Sequence, residues 1–129
     1  MVIMNKDFRV FYWNNSKWLM IDYNSGPGLP TLDDFKRDYR ELPWINTVLT
    51  GTPEEKMGQL FERYNDDNNP MGTKPMQNWI RDNLQPSPHT SMSVGDIIEI
   101  SGELYIVKGV GWTKLPFKAP DAFLGDTNG

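Results

Sequence analysis

Asp96-Ile97-Ile98-Glu99-Ile100, Ser101-Gly102 and Glu103-Leu104-Tyr105-Ile106-Val107-Lys108 form the stretch that decides the fold class. Two runs of β-branched and aromatic residues flank a Ser-Gly turn pair, which is the composition of a β-hairpin. Downstream, Gly109-Val110-Gly111 offers a flexible break, and a third strand from about Trp112 to Leu115 would complete a meander. Beyond Phe117 the chain carries Pro, Asp and Gly, and its last residues are expected to fray.

Upstream the period changes to that of a helix. Thr52 as N-cap, Pro53 at the first helical position and Glu55 at the third spell a capping box. Met57, Leu60, Phe61 and Tyr64 then share one face at i, i+3, i+4 and i+7, while Glu54, Lys56, Glu62 and Arg63 point away. Gly58 inside this helix suggests a close backbone approach. A further helix is expected from Pro75 to Leu84, with Met76, Trp79, Ile80 and Leu84 inward and Pro86 and Pro88 preventing its continuation.

In the first half, Thr31 caps a short helix whose apolar positions Leu32, Phe35, Tyr39 and Leu42 keep helical spacing up to Pro43. Trp44-Ile45-Asn46-Thr47-Val48-Leu49 reads as a strand. Phe8-Arg9-Val10-Phe11-Tyr12-Trp13 reads as another, with Asn14-Asn15-Ser16 as a turn before Lys17 to Tyr23, so a hairpin is expected here too. Apolar residues crowd both faces of these segments. Either the strands are buried on both sides, or Phe11, Trp13 and Trp18 form a contact surface.

The expected fold is therefore α+β: a mixed or antiparallel sheet with a C-terminal meander, packed against two or three short helices. Its core is expected to draw on Phe8 or Phe11, Val48, Met57, Leu60, Phe61, Trp79, Ile98, Ile100 and Tyr105 or Ile106. A chain of 129 residues suits one domain, here read as an ordered core over about 7–117 and a tail over about 118–129. A formal charge of −4, with acidic and basic side chains dispersed, supplies no basic stripe for nucleic-acid binding. An acidic mimic of nucleic acid is a weaker alternative on the same count. No cysteine occurs, so disulfides and thiolate chemistry are excluded. The first residues are too short an apolar run for a signal peptide, and no later run approaches a membrane span, so a cytoplasmic location is expected.

Candidate chemistry is sparse. Asn65, Asp67 and Asn69 alternate as in a calcium loop, but Pro70 stands where glycine is needed and Met76 where a bidentate carboxylate is needed. No metal and no organic cofactor is expected, and no catalytic residue is assigned. His89 is the chain's one histidine, and a hydrolase built with the neighbouring serines would have to use it. The turn Ser93-Val94-Gly95-Asp96 would either hold an anion or peptide carboxylate on exposed amides, or act as a strand-entry turn in which Gly95 takes positive φ and Asp96 or Ser93 bonds the backbone. Ser91, Ser93 and Asp96 accordingly join Phe11, Trp13 and Trp18 as candidate binding residues.

Phe8-Arg9-Val10, the strand-like Val48-Leu49-Thr50-Gly51, Leu60 to Asn65, Ser91-Met92-Ser93-Val94-Gly95-Asp96-Ile97-Ile98, Leu104 to Val107 and Gly111-Trp112 occur in an order that resembles the YodL-like family. The likeness spans roughly residues 8 to 117, and its specific part is the Ser91 to Asp96 segment with its hairpin. Thr90 separates His89 from Ser91, where the family has histidine directly before the first serine. The resemblance implies a phage or mobile-element accessory protein that acts on a host component. Abundant aromatics and methionines, residues that anchor interfaces, lead to the same expectation: stoichiometric binding to a host or phage protein, or self-association, with no membrane partner.

Overall fold

The computed structural model describes residues 8–120. Phe8–Trp13 forms β1, which lies inside a five-stranded sheet of order β2-β1-β3-β4-β5. Its partners are β2 (Tyr39–Glu41) on one side and β3 (Ile97–Ile100) on the other. β4 (Glu103–Val107) and β5 (Trp112–Lys114) follow, and every neighbouring pair is antiparallel. The fold is α+β, with β3–β5 as a meander. Ser101 and Gly102, at φ 51° and 84°, make the left-handed residue pair that a two-residue hairpin needs to match strand twist.

Alternation along β1 explains the apolar crowding on both its faces. Phe8, Val10 and Tyr12 enter one core with Met57, Leu60 and Tyr64 of α2 (Pro53–Arg63) and Ile80 of α3 (Lys74–Asn83). Phe11 and Trp13 enter a second core with Trp18, Phe35 of α1 (Leu32–Asp38) and Tyr39. Each large side chain buried this way contributes about 1.5–3 kcal/mol of transfer free energy. Arg9, which interrupts the apolar run, is matched across the sheet: it forms a bidentate pair with Glu99 at 2.7 and 2.8 Å and reaches Glu41 at 3.4 Å.

The capping box of α2 is present in full. The Glu55 N–H donates to the Thr52 hydroxyl at 3.2 Å, and the Thr52 N–H to the Glu55 carboxylate at 2.8 Å. Other expectations need correction. Lys17 to Tyr23 is not a strand: Ser16–Met20 forms a short 3₁₀ helix, started by the Asn15 side chain accepting from the Lys17 N–H. That turn swings Trp18 inward, where its indole N–H donates to Asp38 at 3.0 Å. The helix begun at Thr31 stops at Asp38 rather than reaching Leu42, because Tyr39–Glu41 pairs with β1. Ladder bonds outweigh local helical spacing here: Asn14 N–H reaches Asp38 O and Leu42 N–H reaches Val10 O, both at 2.8 Å.

Trp44 to Leu49 forms no strand. Ile45 and Leu49 pack individually on the α2 side core, while Val48, expected in that core, is 83% exposed. Phe61 is likewise outside the core at 37% exposure, because the buried stripe of α2 narrows to Met57, Leu60 and Tyr64. Trp79 packs on the core only in part. Gly58 marks no tight approach, since a methyl group there would meet only the Trp112 ring, at 4.0 Å. The tail expected over 118–129 falls, from residue 121, outside the described residues. Among the described residues no helix is long and apolar enough to cross a membrane.

Candidate functional site

The segment that precedes β3 is held by its own backbone and one carboxylate. Gly95 sits at φ +92°, and a Cβ there would lie 2.3 Å from the Trp18 carbonyl oxygen, so only glycine fits. The next residue, Asp96, is fully buried. Its carboxylate accepts from the Ser93 N–H at 2.8 Å and from the Trp13 N–H at 3.0 Å. His89 Nε2 completes the set at 2.9 and 3.0 Å. The imidazole ring stacks on Tyr12 and Trp13, with centroids 4.5 and 4.0 Å away.

The second ring nitrogen of His89, Nδ1, lies 3.3 Å from the Ser87 carbonyl oxygen. A carbonyl and a carboxylate both accept, so the contacts suit a ring with a proton on each nitrogen, the imidazolium. Burial opposes that charge, but Asp96 more than offsets it, and His89 is held above its ordinary value of 6.5. Complete burial raises Asp96 in turn, against the opposing pull of His89 and the two N–H donors. The two groups titrate as one unit.

Aromatic side chains fasten the rest of the segment. Tyr12 donates its hydroxyl to Thr90 O at 2.9 Å, Trp13 its indole N–H to Val94 O at 3.0 Å, and Tyr39 its hydroxyl to Gly95 O at 2.6 Å. Asn65 and Asn69 close the other side, donating to Met92 O at 3.2 Å and Thr90 O at 3.1 Å. That role accounts for two of the asparagines that mimic a calcium loop in sequence. The strand-entry reading of the turn is thereby the one its geometry carries.

The candidate residues are thus gathered in one neighbourhood but not on one surface. Trp13 and Asp96 bond directly, and Trp18 lies against Gly95. Phe11, Trp13 and Trp18 are all buried, Phe11 edge-on to Phe35 at 4.9 Å, so these side chains present no contact surface. The 3₁₀ turn and the α1 layer absorb them. Ser91 is exposed, and Ser93 donates its hydroxyl to Ser91 O at 3.2 Å. Neither ring nitrogen of His89 meets a serine hydroxyl, and the cleft of about 320 Å³ that His89 borders is lined by Lys74, Gln77, Asn78, Arg81 and Thr90 among others, with no serine.

Several apolar side chains stay outside both cores, Val48 and Phe61 among them. Leu19, Met20 and Tyr23 follow Trp18 out of the core, and Tyr23 is 61% exposed. Between them and the β4–β5 turn lies a polar latch: Asp22 accepts from the Gly109 N–H and pairs with Lys108 Nζ at 3.3 Å. Val110, in that turn, is 96% exposed. Past the turn, a groove of about 460 Å³ opens between the first turn of α2 and β5, lined by Thr52, Pro53, Glu54, Met57, Tyr105, Trp112 and Lys114. The Trp112 indole N–H beside it is buried without an acceptor among the described residues. Sequence reading missed this region because it singled out the largest aromatics, which are the ones the cores take first.

Over 56 residues the chain is 39% identical to the uncharacterized protein R785 of Acanthamoeba polyphaga mimivirus. The match covers 43% of this chain and 49% of that protein, so it spans about half the length of the viral relative. No family model matches the chain, and no solved structure matches it.

Proposed function

We propose that the chain is a small accessory protein of a virus or mobile element that acts by stoichiometric binding to a host or viral protein in the host cytoplasm. The observation that carries this reading is the exposure of Leu19, Met20, Tyr23 and Val110 on two loops that Asp22 joins through Gly109 and Lys108. Contiguous apolar surface held in a fixed shape is the usual basis of an interface. The likeness to a mimivirus protein supports the viral setting. A serine hydrolase built on His89 has no support in the geometry, because both ring nitrogens face Asp96 and Ser87 O.

The test pairs capture from host lysate with light scattering on the eluted complex. Wild-type chain is compared with a Tyr23→Ser/Val110→Asp double variant, whose changes lie on exposed positions and leave both cores intact. The expected result is a complex of fixed stoichiometry with wild type and its loss with the variant. A monomer that captures nothing, yet turns over a small molecule, would overturn the reading.

A further inference from the structure

We infer that the free edge of β5 takes an extended segment of a partner protein as a sixth strand, with one of its side chains in the groove beside Trp112. This rests on the binding reading above and names the partner's chemistry.

Hydrogen bonds fix which way β5 faces. The Leu115 N–H donates to Leu104 O at 2.8 Å and the Lys108 N–H to Gly111 O at 3.0 Å, with Thr113 opposite Ile106 between them. Gly111, Thr113 and Leu115 therefore turn their backbone groups toward β4. By strand alternation Trp112 and Lys114 turn theirs outward, away from the sheet. None of those outward groups has a hydrogen-bond partner among the described residues. Donors and acceptors repeating every second residue are matched by an extended backbone, as in strand addition to a sheet edge.

Two further features select the occupant. The adjoining groove, at about 460 Å³, falls within the roughly 300–1,000 Å³ of sites that hold compact ligands, and it sets Met57, Tyr105 and Trp112 beside the polar Thr52, Glu54 and Lys114. The edge is continuous with the apolar surface of the binding reading, since a single residue, Gly111, separates Val110 from Trp112.

The experiment uses the full chain as bait for a displayed library of random linear peptides, followed by backbone amide exchange with an enriched peptide. Protection is expected to rise at the Trp112 and Lys114 amides and to change little at Thr113, which already faces β4. Lys114→Pro removes an outward N–H without breaking a ladder bond. It is expected to weaken peptide binding by about tenfold or more, while Lys114→Arg binds as wild type does. Should the proline variant misfold, the amide pattern on the wild-type chain decides. Failure to enrich any peptide, or enriched peptides that protect only Tyr23 and Val110 and bind Lys114→Pro equally, would overturn the inference. The last outcome would still leave the binding reading standing, whereas a Tyr23→Ser/Val110→Asp chain that forms its complex normally would remove that reading instead.

Discussion

Asp96→Ala is the change from which most should follow, because one buried carboxylate holds three partners from a loop and a strand. It removes the acceptor of the Trp13 N–H, the Ser93 N–H and His89 Nε2 together. Ser93 is near enough to solvent for water to replace its bond, but the Trp13 N–H is buried and the imidazolium loses its counter-charge. Breaking one side of a buried pair destabilises by about 3–5 kcal/mol. The orphaned N–H, worth about 1–3 kcal/mol on its own, is part of that loss rather than additional to it. Against a domain stability of about 5–15 kcal/mol, the variant would lose a large share. Urea unfolding should show the midpoint falling with an unchanged slope.

The same pair ties stability to pH, and the sign follows from the direction of each shift. His89 is raised in the folded state, so its contribution is fully present below 6.5 and is lost as pH climbs through the raised folded value. Asp96 is also raised, so the folded state holds that proton more tightly, and stability falls as pH rises from 3.8 through its folded value. Wild-type stability should therefore decline as pH rises above 6.5, and His89→Ala should remove the imidazole's share of that decline. With 1 histidine in the chain, a single imidazole resonance reports its midpoint directly. An Asp96→Ala loss of only about 0–1 kcal/mol, the range of exposed pairs, or an imidazole midpoint at or below the ordinary value, would refute the reasoning.

Gly58→Ala should stabilise the chain by up to about 1 kcal/mol, since the added methyl meets only the Trp112 ring at 4.0 Å; thermal melting checks it, and a loss would show that the helix needs glycine there. Gly95→Ala should destabilise by more than about 2 kcal/mol, from positive φ combined with a 2.3 Å approach to Trp18 O, and a mild effect in urea unfolding would contradict the geometry. Arg9→Met should lower stability by about 1.5–3 kcal/mol by removing the guanidinium that bonds Glu99 on both carboxylate oxygens, and a double-mutant cycle with Glu99→Gln should recover most of that loss.

Where local chemistry alone determines an element, the sequence was legible. The Thr52 capping box, the Ser101-Gly102 turn and the meander from Ile97 to Lys114 all stand where their residues place them. Where two local readings competed, the sheet decided. Tyr39 satisfies helical spacing from Phe35 and also fits opposite Trp13, and the backbone bonds on offer from β1 drew it into a strand. Asn15 converted an expected strand into a 3₁₀ turn with one side-chain bond, which period alone does not register. For the site, turn chemistry at Ser93 to Asp96 was readable, but the partnership of His89 with Asp96 was not. Their spacing of seven residues in an extended loop has no periodic signature, and it is β1, distant in sequence, that brings both against Tyr12 and Trp13.

The burial of Phe11, Trp13 and Trp18 removes them as a contact surface, and it also shows what shapes the exposed residues that follow. Trp18 is anchored at its indole by Asp38 and lies against Gly95, so the turn carrying Leu19, Met20 and Tyr23 leaves the core at a fixed angle. Asp22 then joins that turn to Gly109 and Lys108 in the β4–β5 connection. That latch ties the two loops to each other. Ordering flexible side chains and loops opposes association, and a surface ordered in advance avoids much of that cost. The free edge of β5 belongs to the same rigid unit, since it hangs from β4 on the far side of that latch. A shape held by buried anchors, with its apolar residues and unpaired backbone groups facing outward, is what a stoichiometric binder requires, and it leaves the His89–Asp96 pair with a structural task.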